Sequence, residues 1–298
     1  MSTGWIEGDC IRCFYHGWKY DGSGQCIEQP AEDTGFAAKI QIRSYPVQEY
    51  LDLIFAYLGP GEPPLFPRHG ELEAEGDLQL GMYVRPCSYF NNAENGIDEV
   101  HVHFVHKQGF TGIQYDIPKV WAEETDWGLT QYGQRCDGTT RETHWLMPNA
   151  LLFKNGDVDD DADQISWRVP VDDVSHRNFM AVLHHRPATG SWLNIQGAGD
   201  SRPTSLEAAQ AILRGELTLE DVAERPDLIT IQDHVAQLGQ GAIADFEHEH
   251  LGQSDRAVIL LRKIYARELR ALAEGGELKR WRKPDVLRGT TGVPVTAA

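Results

Sequence analysis

Apolar positions in the first sixty residues fall in short runs that stop at turn residues. Residues 10–14, 38–47 and 53–58 are rich in β-formers, and Asp21-Gly22-Ser23-Gly24 separates the first two, so a small all-β unit is predicted. Gly59-Pro60-Gly61-Glu62-Pro63-Pro64, with Phe66-Pro67-Arg68 after it, removes backbone donors and ends any regular element. A boundary is placed there, giving domains 1–66 and 67–298. Beyond it, a short β segment over 80–90 precedes a helical stretch over 92–106, and 150–153, 165–171 and 178–184 alternate as strands of an antiparallel sheet do. Gly156-Asp157-Val158-Asp159-Asp160-Asp161 predicts a solvated hairpin tip, because the run lacks the closing Glu of a calcium loop. The last third turns helical: 205–215, then from Thr218, where Thr218 and Asp221 resemble a capping box. In 254–274, Val258, Leu261, Ile264, Tyr265, Leu269 and Leu272 recur at helical spacing. The pattern as a whole predicts an α+β chain, a small β domain followed by helices packed on an antiparallel sheet.

Composition leaves this picture intact and narrows the partners. With 41% hydrophobic residues in 298, the chain can fill a sizeable core. Its 27 basic against 45 acidic residues give a formal net charge of -18, which argues against nucleic acid and anionic lipid as partners. No apolar run approaches the ~20 residues a membrane helix needs. Met1 to Gly8 lacks the charged and apolar parts of a signal peptide, so a cytoplasmic location is expected. Five cysteines, odd in number and dispersed, read as thiols or metal ligands, not a disulfide framework.

The candidate chemistry begins at Cys13 and His16, a thiol and an imidazole three apart with Gly17 after them to let the backbone turn. A zinc site would need a second such pair, which the other cysteines do not offer as C-x-x-C, and by spacing alone a buried structural loop is the favoured reading over a metal role. The longer string is more specific. Cys13-Phe14-Tyr15-His16-Gly17-Trp18-Lys19-Tyr20-Asp21 with Gly24-Gln25-Cys26 closely resembles the second ligand loop of a Rieske [2Fe–2S] domain. The resemblance implies Cys13 on one iron and His16 on the other. The family's earlier C-x-H loop has no counterpart ahead of Cys13, and 5–12 resembles the strand between the two loops. The chain is therefore expected to begin inside that domain, as a partial Rieske domain. Cys10 is read as a strand cysteine.

Residues 91–106 pack three histidines and three carboxylates into sixteen positions. Two histidines and a carboxylate on one face of Fe(II) leave positions open for dioxygen. His101 and His106, five apart, lie roughly 140° apart on a regular helix, so a π-bulge or break between them is expected if both bind one metal. Asn95-x-x-Asp98-x-x-His101-x-x-x-x-His106 resembles the iron-binding signature of Rieske oxygenase catalytic domains. The resemblance implies His101 and His106 as ligands and Asp98 and Asn95 as catalytic residues. Asp98 would accept a hydrogen bond from the non-metal nitrogen of His101 and reach a cluster histidine such as His16 across a subunit interface. His103, outside the signature, is read as solvent or pocket lining. Asp233 in Ile231-Gln232-Asp233-His234 resembles the family's late aspartate ligand and is expected to open a helix, with Asp227 and Asp245 as competitors.

Trp167-Arg168-Val169-Pro170-Val171-Asp172-Asp173, 232–241, Glu249-His250-Leu251-Gly252 and Ser254-Asp255-Arg256 resemble the branch acting on phenoxy acids and lignin-derived biaryl ethers. What this implies is a helix-grip (Bet v 1/START-like) catalytic domain holding mononuclear Fe(II), served by a [2Fe–2S] cluster. An NAD(P)H-dependent reductase or ferredoxin would supply electrons, and O2 would hydroxylate or O-demethylate an aromatic substrate in a homotrimer. Two other readings stay open: a hydrophobic ligand-binding module with degenerate metal chemistry, and a zinc-binding structural protein.

Overall fold

The computed structural model describes residues 3–107, 117–157, 160–185 and 203–287. The chain forms two compact units, Met1–Phe66 and Pro67–Ala298.

In the first unit, β1 (Trp5–Glu7), β2 (Cys10–Arg12), β3 (Lys19–Tyr20) and β4 (Cys26–Glu28) pair in that order as an antiparallel sheet. Asp21 turns the chain from β3 to β4 by accepting from the backbone N–H of Ser23 (2.9 Å) and Gln25 (3.1 Å). Gly24 sits at φ +84°, where an added Cβ would lie 2.1 Å from the Ile42 carbonyl oxygen, so only glycine fits. A second hairpin, β5 (Val47–Tyr50) and β6 (Leu53–Ala56), turns on Leu51 and Asp52, both at positive φ as a two-residue loop requires. The strand expected over 38–47 is not there: Ala37–Lys39 form a 3-10 turn and Gln41 a lone bridge to Gln25. Pairing starts only beyond Pro46, which has no N–H to give to a ladder.

The second unit is built on a seven-stranded antiparallel sheet of β7 (Asp77–Arg85), β8 (Lys119–Glu124), β9 (Gly128–Gln134), β10 (Thr140–Leu146), β11 (Ala150–Asp157), β12 (Asp160–Asp172) and β13 (Ser175–His184), in the spatial order β7-β13-β12-β11-β10-β9-β8. The carboxylate run expected at a hairpin tip falls between β11 and β12, and its centre, 158–159, lies outside the described residues. Pro86 ends β7 at Arg85, so Tyr89 and Phe90, expected in a strand, belong instead to helix α1 (Tyr89–Gly96), capped by Ser88. The helix expected over 92–106 is two helices: α1 stops at Gly96 and α2 (Glu99–Val105) restarts behind the cap residue Asp98. Thr218 and Asp221 make reciprocal capping bonds, but these close only a 3-10 turn, Glu220–Val222. Pro226 disfavours a helical Arg225, and helix α4 (Leu228–Gly239) begins after it. Helix α3 (Ser205–Leu213), with a full capping box at Thr204 and Glu207, packs Ala208 and Ala209 against Leu228 and Ile231.

Helix α5 (Arg256–Ala273) lies on the sheet, burying Val258, Leu261 and Ile264 against Leu129, Trp145 and Leu151 and against Ala93 and Ile97 of α1. Apolar surface removed from water is worth about 25 cal/mol per Å2, so this strip of contact stabilises the unit. Leu269 and Leu272, expected on the same buried stripe, are 60% and 61% exposed. By Arg267, which grips Glu124 at the end of β8 (2.8 Å), the helix has reached the sheet's edge strand, and its last turns run beyond it. The helix-facing side of the sheet changes character across its width. It is apolar where α5 lies on it, at Leu129, Trp145 and Leu151, whereas on β7, β13 and β12 it carries Tyr83, Arg85, His176, Asn178, Ser166 and Arg168.

Arg262 of α5 clamps α1 through both oxygens of Glu94, the Nη2 bond being 2.9 Å, and also holds Glu249. Burial raises the Glu94 pKa, and Arg262 offsets that only in part. Arg262→Ala therefore strands a buried carboxyl and is expected to lower unfolding free energy by about 3 kcal/mol in a urea titration. Glu249→Ala, which removes a more exposed partner (28% side-chain exposure), is expected to cost less than about 1 kcal/mol.

Candidate metal centre

Asp98 starts the local structure that the centre depends on. Its carboxylate caps α2, accepting from the backbone N–H of Val100 (2.9 Å) and His101 (3.4 Å). This fixes the first turn of the helix that carries His101. The Nδ1 of His101 donates to the Asp98 backbone carbonyl, whose oxygen can only accept, so Nδ1 holds the proton and Nε2 keeps its lone pair. The carboxylate of Asp98 is 3.8 Å from that Nδ1, so the carbonyl takes the bond expected for the side chain.

His106 is the residue at which α2 ends, with φ -95° and ψ 14°. Of the two distortions expected between the histidines, the π-bulge is absent, since 99–105 is regular helix, and the break is present as the end of α2 at Val105; a further break lies at Ile97-Asp98. Termination at His106 frees its ring from the helical phase and does what a bulge would have done. The His106 Nδ1 donates to Gln232 Oε1 (3.0 Å), which again puts the ring's lone pair on Nε2, on the side of Asp233. The two imidazoles stand 5.2 Å apart at 75°.

Asp233 comes from the middle of α4, not from its start. Its Oδ1 is buried and makes no hydrogen bond, yet lies 3.3 Å from His106 Nε2 and 3.9 Å from His101 Nε2. The three ligand atoms lie within 4.8 Å of one another, the one such His/Cys/Asp/Glu group among the described residues. Burial by itself would raise the Asp233 carboxyl, but His106, His101 and Arg85 outweigh it and hold that carboxyl far below the usual range. Burial by itself would lower His106, and Asp233 outweighs it, so His106 is raised. Three lone-pair donors aimed at one point repel unless a proton or a cation lies among them, and the donor set is that of a two-histidine, one-carboxylate metal site.

The competitors stand elsewhere. Asp227 is salt-bridged to Arg225 (2.7 Å) and accepts from Ser205, while Asp245 is exposed beside His248. His103, expected at solvent or a pocket wall, is 4% exposed, with Nε2 4.0 Å from Glu99. Asn95 accepts from Gln237 Nε2 (2.7 Å), Gln237 accepts from Arg85, and Arg85 Nε donates to His234 (2.9 Å). Gln232 and Gln237 escaped the reading of the sequence, although Gln237 is one turn from Asp233 on the same helix face. Arg85 escaped it because nothing in an alternating strand marks an arginine as buried.

In the first unit, Cys13 and His16 lie on the loop between β2 and β3. Gly17 at φ +71° closes it, its N–H donating to the Cys13 carbonyl (3.1 Å), while Cys13 N–H donates to Trp18 (2.7 Å). Phe14, Tyr15 and His16 are exposed at its tip, and Cys10 is half-buried on β2. Among the described residues no helix is long and apolar enough to cross a membrane.

Residues 1–47 match the model of the Rieske [2Fe-2S] domain. The chain is 30% identical over 292 residues to the 5,5'-dehydrodivanillate O-demethylase oxygenase subunit of Sphingobium sp. (strain NBRC 103272 / SYK-6), covering 94% of this chain and 66% of that protein. It is 30% identical over 308 residues to the phenoxybenzoate dioxygenase subunit alpha of Ectopseudomonas oleovorans, covering 93% and 70%. Among solved structures, the NdmA QL mutant of Pseudomonas putida CBB5 with theobromine superposes with a TM-score of 0.64 at 20% identity, over 92% of this chain and 75% of that one. The α+β fold, with its small antiparallel sheet and larger helix-covered sheet, is that of this neighbour. Sequence likeness across most of two oxygenase subunits, and a Rieske match at the loop bearing Cys13 and His16, lead to one assignment: the chain belongs to the Rieske-type oxygenase alpha-subunit family of oxidoreductases.

Proposed function

We propose that this chain is the terminal oxygenase component of a Rieske-type system that hydroxylates or O-demethylates an aromatic compound, with a mononuclear Fe(II) held by His101, His106 and Asp233. The observation that carries the reading is the convergence of those three side chains on one buried point. Fe(II) bound there supplies dioxygen activation, since three protein ligands leave coordination positions open. The chain's own residues prepare that chemistry. The Asp98 backbone carbonyl and Gln232 Oε1 accept hydrogen bonds from the Nδ1–H groups of the two histidines, so both Nε2 atoms are presented as bases without a competing tautomer. Asn95, tied to α4 through Gln237, keeps α1 in register with the helix that brings Asp233.

Cys13 and His16 would hold one iron each of a [2Fe–2S] cluster. A complete set needs one more cysteine and one more histidine than their loop carries. Electrons would come from an NAD(P)H-dependent reductase or a ferredoxin, in a homotrimer where Asp98 faces a neighbour's cluster. The chain spans about two thirds of the length of the relatives named above, and their whole-protein activities are extended to it only as this proposal.

The test is metal analysis after anaerobic Fe(II) loading, followed by turnover of phenoxybenzoate and a methoxylated benzoate with O2 and a Rieske-system reductase. One mononuclear iron per chain and a hydroxylated or demethylated product support the reading. Zinc in place of iron, or aromatic binding with no retained metal, would replace it with the structural or ligand-binding alternative. Gln232→Leu is expected to lower Fe(II) affinity about 10- to 100-fold by releasing the His106 ring, with the fold intact by circular dichroism.

A further inference from the structure

Asp233 is carried by α4, and the residue that ties α4 to the sheet lies outside the ligand set. The apolar side of α4 is taken up by α3, with Leu228 and Ile231 against Ala208 and Ala209. Among the described residues, the hydrogen bonds from α4 to the sheet run to Arg85, the last residue of β7. Its Nε donates to His234 Nδ1 (2.9 Å) and its Nη1 to Gln237 Oε1, while the ring of Tyr83, on the same strand, lies 5.4 Å from that of His234. His234 follows Asp233 directly and Gln237 stands one turn beyond it, so two bonds from one planar fork fix both the height and the rotation of the turn that carries the ligand. Arg85 is itself held, 1% exposed and paired with His176 in the ladder between β7 and β13.

A neutral side chain could supply such bonds with less desolvation. Burying a guanidinium costs several kcal/mol unless a carboxylate pairs with it. Among the described residues Arg85 forms no ion pair, its two acceptors are neutral, and its Nη2 is buried without a hydrogen-bond partner. Its charge therefore acts at longer range. Burial opposes ionisation of Asp233, and His106, His101 and then Arg85 overcome it, so the carboxylate in the field of Arg85 is the metal ligand itself. Arg168, the other buried arginine on this face, is turned to Asn92 of α1 and Ser166 of its own strand and makes no bond to α4.

A fixed positive charge near a metal ion disfavours the higher oxidation state, because oxidation adds one more charge of the same sign. Resting on the reading of His101, His106 and Asp233 as an Fe(II) centre, we propose that Arg85 is a positioning residue of that centre: its fork holds α4 so that Asp233 meets the two histidines, and its charge favours ferrous over ferric iron there. Dioxygen is activated by the ferrous form of such a site, so the bias keeps the centre in the form that reacts.

The test loads the full chain with Fe(II) anaerobically and reads two quantities, the Fe(II) dissociation constant by chelator competition and the one-electron potential of the mononuclear iron by titration of the ferric electron paramagnetic resonance signal. Arg85→Lys keeps the charge and loses the fork. Its Fe(II) affinity is expected to fall about tenfold, with the ferric-to-ferrous preference within about twofold of wild type. Arg85→Gln removes the charge, and the preference is expected to move toward ferric by about tenfold, a fall of about 59 mV for one electron. A purely structural arginine would cost stability in both variants and move the potential in neither. A folded Arg85→Gln protein with the wild-type potential, or a folded Arg85→Lys protein with wild-type Fe(II) affinity, would overturn the proposal. Should Arg85→Gln not fold, Gln237→Glu neutralises the arginine in place and keeps its fork; the same fall in potential is expected, and an unchanged potential overturns the proposal. A wild-type chain that takes up no Fe(II) removes the metal reading and this proposal with it, whereas iron taken up with the variants unmoved removes this proposal alone.

Discussion

His106→Ala is expected to leave the chain folded and strip it of mononuclear iron. The side chain is 4% exposed and hydrogen-bonds across to α4, so its truncation leaves Gln232 Oε1 without this partner at a cost of about 1–3 kcal/mol, within what a domain of this size tolerates. The effect on the metal is far larger. Loss of an orienting partner alone lowers metal affinity about 10- to 100-fold, and loss of a ligand exceeds that, because the remaining His101 and Asp233 cannot enclose the ion. Asp233→Asn should act likewise with almost no change in shape, since it removes the charge that holds both imidazoles in place. His103→Ala is the control: it too removes a buried imidazole from α2, but one that faces Glu99 instead of Asp233, so iron should be retained. Iron content by elemental analysis, read beside near-ultraviolet circular dichroism, checks all three. A folded His106→Ala protein that keeps its iron would refute the ligand assignment.

The contrast between His106 and His103 also marks where sequence and structure part. The spacing Asp98-x-x-His101-x-x-x-x-His106 singles out which imidazoles can share a partner, because it is a pattern over residue types. The means of convergence was legible only as a choice: a regular helix requires a bulge or a break between the two histidines, and the break is what forms, since α2 is short, begins at a side-chain cap and ends at the second histidine. Helix ends depend on which backbone groups find partners, and the Asp98 carboxylate capping two amides is a local competition that periodicity does not register. The long amphipathic helix was legible to within two residues, since its stripe of Val258, Leu261, Ile264 and Tyr265 is a one-dimensional signal. That Leu269 and Leu272 lie outside the core was not, because it depends on where the sheet ends. The buried arginines were the least legible. Arg85 and Arg168 sit on the inward side of strands that alternate correctly, and only the pairing of β7 with β13 and of β13 with β12 shows that they face the same helices.

Acid is expected to unfold the second unit well before its carboxylates titrate. Four of its histidines are buried and held neutral: burial brings His69, His144 and His176 down to about 4 and His234 to about 3, with Lys283 adding to the first two and Arg85 to the last two. In the unfolded chain each titrates near 6.5. Between about 6.5 and 4 the unfolded state therefore binds more protons than the folded one, and stability rises with pH. The contribution is fully present above the unfolded value and drains away as pH falls toward the folded values. If all four stay neutral when folded, the slope near pH 5 approaches about 5 kcal/mol per pH unit, comparable with the whole stability of a domain. His106 runs the other way without metal, because its raised pKa stabilises the fold below 6.5, but one group does not balance four. The strongly depressed carboxyls, Asp233 and Glu124, lose their contribution only at lower pH, so the window from 7 to 5 belongs to the histidines. Urea midpoints measured at pH 7.5, 6.0 and 5.0 should fall steeply. His234→Gln, which keeps a polar group beside Arg85, should flatten the slope by about one proton, whereas a midpoint unchanged from 7.5 to 5.0 would mean that these rings already carry protons in the folded state.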